Sequence, residues 1–95
     1  MAARDLSGKI CVVTGAGSAL GKAMSLGLSA AGAKVAGVDV NLEALNATAK
    51  EATGAGVVPI QTDITKVNDA NNAISKTISG LGGMHVLINC AGLGM

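Results

Sequence analysis

Ninety-five residues with a formal net charge of +1 make at most one small domain and give it no broad electrostatic field. The chain has no Phe, Tyr or Trp, so its core must be assembled from many small side chains. With neither a basic stripe nor an aromatic stacking surface, no nucleic-acid partner is expected.

Cys11 and Cys90 stand apart, without Cys-x-x-Cys spacing or a Cys/His cluster, and read as reduced thiols of a reducing compartment. The start, Met1-Ala2-Ala3-Arg4-Asp5-Leu6, lacks a signal-peptide core. No uncharged apolar stretch reaches the roughly 18 residues of a membrane span. The expectation is a soluble, cytoplasmic chain with no membrane partner.

Strand and helix patterns alternate along the sequence. Lys9 to Thr14 is a continuous apolar strand, as expected where both sheet faces are covered. From about Ser18 to Ala31, the residues Leu20, Ala23, Met24, Gly27, Leu28 and Ala31 recur at helical spacing, and Gly32 sits where a left-handed glycine would end the helix. Lys34 to Asp39 is a second strand. Asn41 is a candidate N-cap for a helix through about Thr53, with Glu43 in its first turn, and Gly54 and Gly56 end it. Val57 to Gln61 is a third strand.

Thr65 is the expected cap of a third helix that presents Val67, Ala70, Ile74, Ile78 and Leu81 on one face. Gly80, Gly82 and Gly83 break it, and His85 to Asn89 is a fourth strand. His85 has no carboxylate or cysteine at ligand spacing and reads as a surface or structural residue, while Lys22 reads as solvated.

Alternation of this kind argues for right-handed crossovers and a parallel sheet in an α/β, doubly wound Rossmann-type fold with four strands and three helices. In the order 3-2-1-4 the third strand lies at an edge, where Pro59 is tolerated. The fourth strand would form the other edge. Val86-Leu87-Ile88 is apolar on successive residues, so both its faces want cover, and an unpaired apolar border invites association. Residues 1–95 therefore read as the front portion of a larger domain, or as a chain that pairs with a partner at that edge.

The run Thr14-Gly15-Ala16-Gly17-Ser18-Ala19-Leu20-Gly21 lies between the first strand and the first helix. Glycines there let the backbone curl tightly and approach an anion. The helix beyond aims its free N–H groups and the positive end of its dipole at that anion. Glycines also serve plain tight turns. A P-loop is excluded, because Ala16 and Ala23 stand where that motif needs Gly and Ser/Thr. Asp39 follows Gly21 by eighteen residues, about where a ribose-binding carboxylate belongs in a dinucleotide-binding βαβ unit.

At these residues the chain resembles the short-chain dehydrogenase/reductase family, whose phosphate loop reads TGxxxGxG. Thr14-Gly15 and Gly21 fit that spacing, and Ala19 replaces the middle glycine. Asn89-Cys90-Ala91-Gly92 is similar to the family's Asn-Asn-Ala-Gly signature, with Cys90 in the second place. The resemblance implies a cofactor site made by Gly15, Gly17, Ser18, Leu20 and Gly21 at the pyrophosphate. Asp39 would receive the adenosine ribose hydroxyls, Asp63 and Ile64 would meet the adenine, and Asn89, Ala91 and Gly92 would lie at the fourth strand's end. Asp39 would repel a 2′-phosphate, and Gly15 to Leu20 hold no Arg or Lys, so NAD is expected over NADP.

The resemblance covers essentially the whole chain but only the family's cofactor-binding part. Family enzymes transfer hydride between nicotinamide and an alcohol or carbonyl, using a Ser and a Tyr-x-x-x-Lys pair. This chain has no tyrosine and is expected to be inactive alone. The alternative is a freestanding half-Rossmann module that self-associates through its fourth strand without chemistry.

Overall fold

A computed structural model describes residues 6–63 and 65–90. The elements run β1 (Ile10–Thr14), α1 (Ala19–Ala30), β2 (Lys34–Asp39), α2 (Leu42–Glu51), β3 (Val57–Gln61), α3 (Val67–Leu81) and β4 (Val86–Asn89). The strands form one parallel sheet of four in the order β3-β2-β1-β4, as the alternation requires. Pro59 lies on edge strand β3, opposite Gly37.

Register sets the two faces. Thr14 aligns with both Val38 and Asn89, and Val38 aligns with Ile60. One face carries Val13, Val35 and Val57, which pack with Leu45 and Ala16 beneath Leu28 and Ala49 of α1 and α2. The other carries Val12, Ala36, Val38 and Ile60, covered by Ala73 and Leu81 of α3. All five β1 residues are buried, which is why that strand is apolar on successive positions. Leu45 is the largest fully buried side chain, so close approach of backbones must replace bulky packing.

Helix α1 achieves that approach with a face the apolar pattern did not mark. Its buried residues are Gly21, Ser25 and Ser29, while Leu20 and Met24 are exposed. Small side chains let the helix lie close on the sheet, so Leu20 and Met24 face outward while Leu28 still packs on the core. Ser29 then clamps the α2–β3 turn. Its hydroxyl donates to the Thr53 carbonyl and accepts from Gly56 N–H at 2.8 Å. The turn is so close that a Cβ on Gly54 would sit 2.1 Å from the Ser29 carbonyl oxygen.

Other boundaries differ from the sequence reading for local reasons. Helix α2 ends at Glu51, because Ala52 turns to extended backbone. The N-cap of α3 is Lys66, without a side-chain bond, since the Thr65 hydroxyl donates to Asp63 instead. On α3 the buried residues are Ala73 and Thr77, whereas Val67 is 74% and Ile78 51% exposed. The helix crosses the sheet on a line rotated from the expected stripe. Gly80 stays helical, and the helix stops at Gly82 with φ of 96°. Gly32, with φ of 106°, follows α1 as expected.

His85 precedes β4 and ties it to β1: its backbone N–H donates to Ile10 O at 2.8 Å, and its Nδ1 accepts from Ile10 N–H at 3.0 Å. Cys11 and Cys90 are free and buried near opposite ends of their strands, roughly 10 Å or more apart. Burial pushes the Cys11 thiol pKa up. Among the described residues β4 pairs only with β1, leaving Val86 and the 55% exposed Leu87 at an open edge.

The two buried serines of α1 have opposite expected roles in stability. Among the described residues the buried Ser25 hydroxyl has no partner, so Ser25→Ala should be neutral or stabilising. Ser29→Ala strands a carbonyl and an N–H and should cost about 1–3 kcal/mol in urea unfolding. Equal costs for the two variants would contradict this assignment.

Candidate functional site

The connection from β1 to α1 is held at nearly every peptide. Gly15 takes φ of 69°, a left-handed turn that glycine adopts without strain. Its carbonyl accepts from Ser18 N–H at 2.9 Å and from the Ser18 hydroxyl at 2.6 Å. The same hydroxyl accepts from Gly21 N–H at 3.3 Å, making Ser18 the N-cap of α1. Ala16 N–H donates to Val38 O at 3.1 Å, and Gly17 N–H donates to Asp39 Oδ2 at 2.9 Å. The loop thus hangs from the end of β2.

Two glycines make this geometry possible. A Cβ on Gly21 would lie 1.9 Å from the Gly15 carbonyl oxygen. One on Gly17 would lie 2.7 Å from the Ala44 Cβ and 3.0 Å from Asp39 Oδ2. Ser18, Ala19 and Leu20 form an exposed lip, so the Ala19 methyl crowds nothing within the protein. The first turn of α1 holds no acidic residue, which leaves the positive end of its dipole available to an anion.

Asp39 stands at the end of β2 with both carboxylate oxygens engaged: Oδ1 accepts from Asn41 N–H at 3.1 Å while Oδ2 holds Gly17. Asn41 caps α2 through Ala44 N–H at 3.0 Å, as its position predicts. Beyond β3, Asp63 Oδ1 accepts from the Thr65 hydroxyl at 2.6 Å and from its N–H at 3.0 Å. Those two bonds hold the Asp63 carboxyl below the usual carboxylate range, the side-chain bond more than the backbone one.

Gly15, Asp39 and Asp63 line one open pocket of about 180 Å³, together with Val38, Val40 and Thr62. Three of the residues singled out in the sequence therefore converge at the carboxyl edge of the sheet, where open α/β folds take ligands. Asn89 lies at the same edge, two strands from Asp39 and roughly 10 Å away, and its Oδ1 accepts from the Thr14 hydroxyl at 2.6 Å. Ile64, Ala91 and Gly92 lie outside the described residues.

Sequence reasoning missed the contribution of α2. Thr48, fully buried, places its Oγ1 3.0 Å from the Ala16 carbonyl oxygen. The available signal was a hydroxyl on the helix face shared with Leu45. Thr62 was missed as well; it lines the pocket, and its N–H donates to Asp39 O at 2.9 Å. Lys22 is not simply solvated but pairs with Glu51, joining α1 to α2 by a partly exposed ion pair of small energetic weight. Among the described residues, no group of His, Cys, Asp and Glu could hold a metal ion, and no helix is long and apolar enough to cross a membrane.

Backbone crowding ranks the loop substitutions. Gly21→Ala meets a rigid carbonyl and should cost about 3 kcal/mol or more. Gly17→Ala displaces a side chain and should cost about 1–3 kcal/mol. Ala19→Gly should be mild by comparison, costing about 1 kcal/mol or less. Urea unfolding of the three variants tests this order, and a harmless Gly21→Ala would contradict the geometry.

A profile of the short chain dehydrogenase family matches residues 9–95. Over 90 residues the chain is 36% identical to the 3-oxoacyl-(acyl-carrier-protein) reductase FabG of Thermotoga maritima, covering 93% of this chain and 37% of that protein. A dehydrogenase/reductase from Sinorhizobium meliloti 1021 superimposes with a TM-score of 0.89 at 35% identity, over 96% of this chain and 37% of the other. A 3-ketoacyl-(acyl-carrier-protein) reductase from Brucella melitensis, solved in complex with NADH, superimposes with a TM-score of 0.82 at 32% identity, over 87% and 34%. The chain spans about a third of the length of these relatives. Family match, sheet order and loop agree: the chain belongs to the short-chain dehydrogenase family and corresponds to an N-terminal portion of such a protein.

Proposed function

We propose that this chain binds a nicotinamide dinucleotide, NAD in preference to NADP, as the cofactor-holding part of an oxidoreductase acting on alcohols or carbonyls. The observation that carries the reading is the convergence of Gly15, Asp39 and Asp63 on one pocket beside an N-terminus of α1 that holds no acid. In this reading Gly15, Gly17, Ser18, Leu20 and Gly21 surround the pyrophosphate, which backbone N–H groups and the helix dipole complement without a side-chain cation. Asp39 receives the ribose hydroxyls, since a carboxylate with two bonds made retains lone pairs for more. Asp63 and Ile64 serve the adenine, and Asn89, Ala91 and Gly92 the nicotinamide side. The NADH complex of the Brucella relative supports a dinucleotide as the ligand class.

The preference for NAD rests on charge. A 2′-phosphate would lie against the Asp39 carboxylate, and neither 15–20 nor 40–44 contains Arg or Lys to offset it. When bound, the nicotinamide supplies or accepts hydride. The protein side of that reaction needs a proton donor or acceptor at the substrate oxygen. Asp39 and Asp63 are spent on binding and on a turn, and the chain has no tyrosine. Binding without turnover is the proposal for these 95 residues.

A second reading draws on the open border of β4. Exposed Val86 and Leu87, on a strand edge that no other strand among the described residues pairs with, favour a freestanding module that self-associates there. Light scattering on the eluting protein separates the two. A dimer disrupted by Leu87→Lys supports self-association, and a monomer counts against it.

Titration calorimetry with each cofactor tests the first reading. NAD should bind at least about tenfold more tightly than NADP, and Asp39→Ser should erase that margin. Tighter NADP binding by the parent chain would sink the assignment of Asp39. Steady oxidation of NADH with any carbonyl would overturn the claim that the chain is inactive alone.

A further inference from the structure

We infer that Thr48 is a positioning residue for the phosphate loop, one that keeps the Ala16 carbonyl turned away from the ligand; the ligand half of this statement rests on the dinucleotide reading above. Thr48 and Ala16 are both fully buried. Thr48 Oγ1 lies 3.0 Å from Ala16 O and 3.2 Å from Ala44 O of its own helix, so its single proton is shared and the loop carbonyl is the nearer acceptor.

The consequence lies in the peptide unit. Ala16 C=O and Gly17 N–H belong to one planar amide and point in opposite directions. Thr48 holds the carbonyl end, and Asp39 holds the N–H end at 2.9 Å. Rotation of that amide would break both bonds at once. With the Thr48 bond in place, the carbonyl dipole points into the protein, away from the exposed lip of Ser18, Ala19 and Leu20. Without it, the amide keeps only its N–H bond to Asp39, and a rotation that would bring a negative oxygen toward an anion is less strongly opposed. Ala44, one helical turn before Thr48, closes the other side by standing where a Cβ on Gly17 would collide.

Thr77 supplies a matched control. It is equally buried, its hydroxyl donates to Ala73 O at 2.8 Å, and it lies on α3 across the sheet from the loop. Thr48→Val removes the donor at nearly constant shape, Thr48→Ser keeps it, and Thr77→Val removes an equivalent hydroxyl elsewhere.

The experiment measures NAD affinity and amide hydrogen exchange for the full chain and these three variants. Thr48→Val should raise the NAD Kd about five- to tenfold and accelerate exchange at Gly17 and Ser18 relative to β2. Thr48→Ser should restore both, and Thr77→Val should change neither beyond its effect on global stability. Loop exchange and Kd unchanged in Thr48→Val, or matched by Thr77→Val, would overturn the inference. Should the valine variant not fold, Thr48→Ala makes the same comparison without the added methyl. If the parent chain binds no dinucleotide, the cofactor reading fails, and the exchange comparison still decides whether Thr48 positions the loop.

Discussion

The near-contact between Gly21 and the Gly15 carbonyl is the constraint on which the carboxyl edge of this sheet depends. A Cβ at Gly21 would sit 1.9 Å from that oxygen, so the first turn of α1 folds back over the end of β1 only because no side chain is there. This proximity places Ser18 where one hydroxyl bonds both Gly15 and Gly21. It also aims the start of α1 at the edge where Asp39 and Asp63 share a pocket with Gly15. Relaxing the contact by an ångström or two would break the cap and turn the dipole elsewhere.

The same economy of volume runs through the body of the fold. A chain without aromatic residues cannot stabilise a core through a few large contacts, so it brings backbones together. Gly21, Ser25 and Ser29 on α1 replace the bulky stripe expected of a core-facing helix. The hydroxyls this arrangement buries are put to use at Ser29, Thr48 and Thr77, each donating to a carbonyl, while Ser25 has no partner among the described residues. Burying hydroxyls is costly unless they are bonded, so packing and loop placement are joined in the same residues.

Much of this architecture is legible in the sequence. Strand alternation gave the parallel sheet and its order, because right-handed crossovers leave few topologies and Pro59 marks an edge. Glycine spacing and Asp39 located the loop and its anchor, since close backbone approach leaves a direct trace in sequence. What escaped were features that depend on which face of a helix packs. Leu20 and Met24 on α1, and Val67 and Ile78 on α3, satisfy helical periodicity yet lie exposed. Thr65 resembles a cap but is claimed by Asp63, a competition between two local bonds that spacing does not resolve. Thr48 escaped because its partner lies thirty-two residues away.

Family membership and loop geometry together support the proposed cofactor site at the carboxyl edge of the sheet. The most direct test is a nitrogen–proton correlation spectrum of the labelled chain titrated with NAD. The account predicts shifts concentrated at Gly15 to Gly21, Val38 to Val40, Thr62 to Asp63 and Asn89, with α3 unmoved. An unchanged spectrum at millimolar NAD, or shifts confined to α3 and β4, would contradict it.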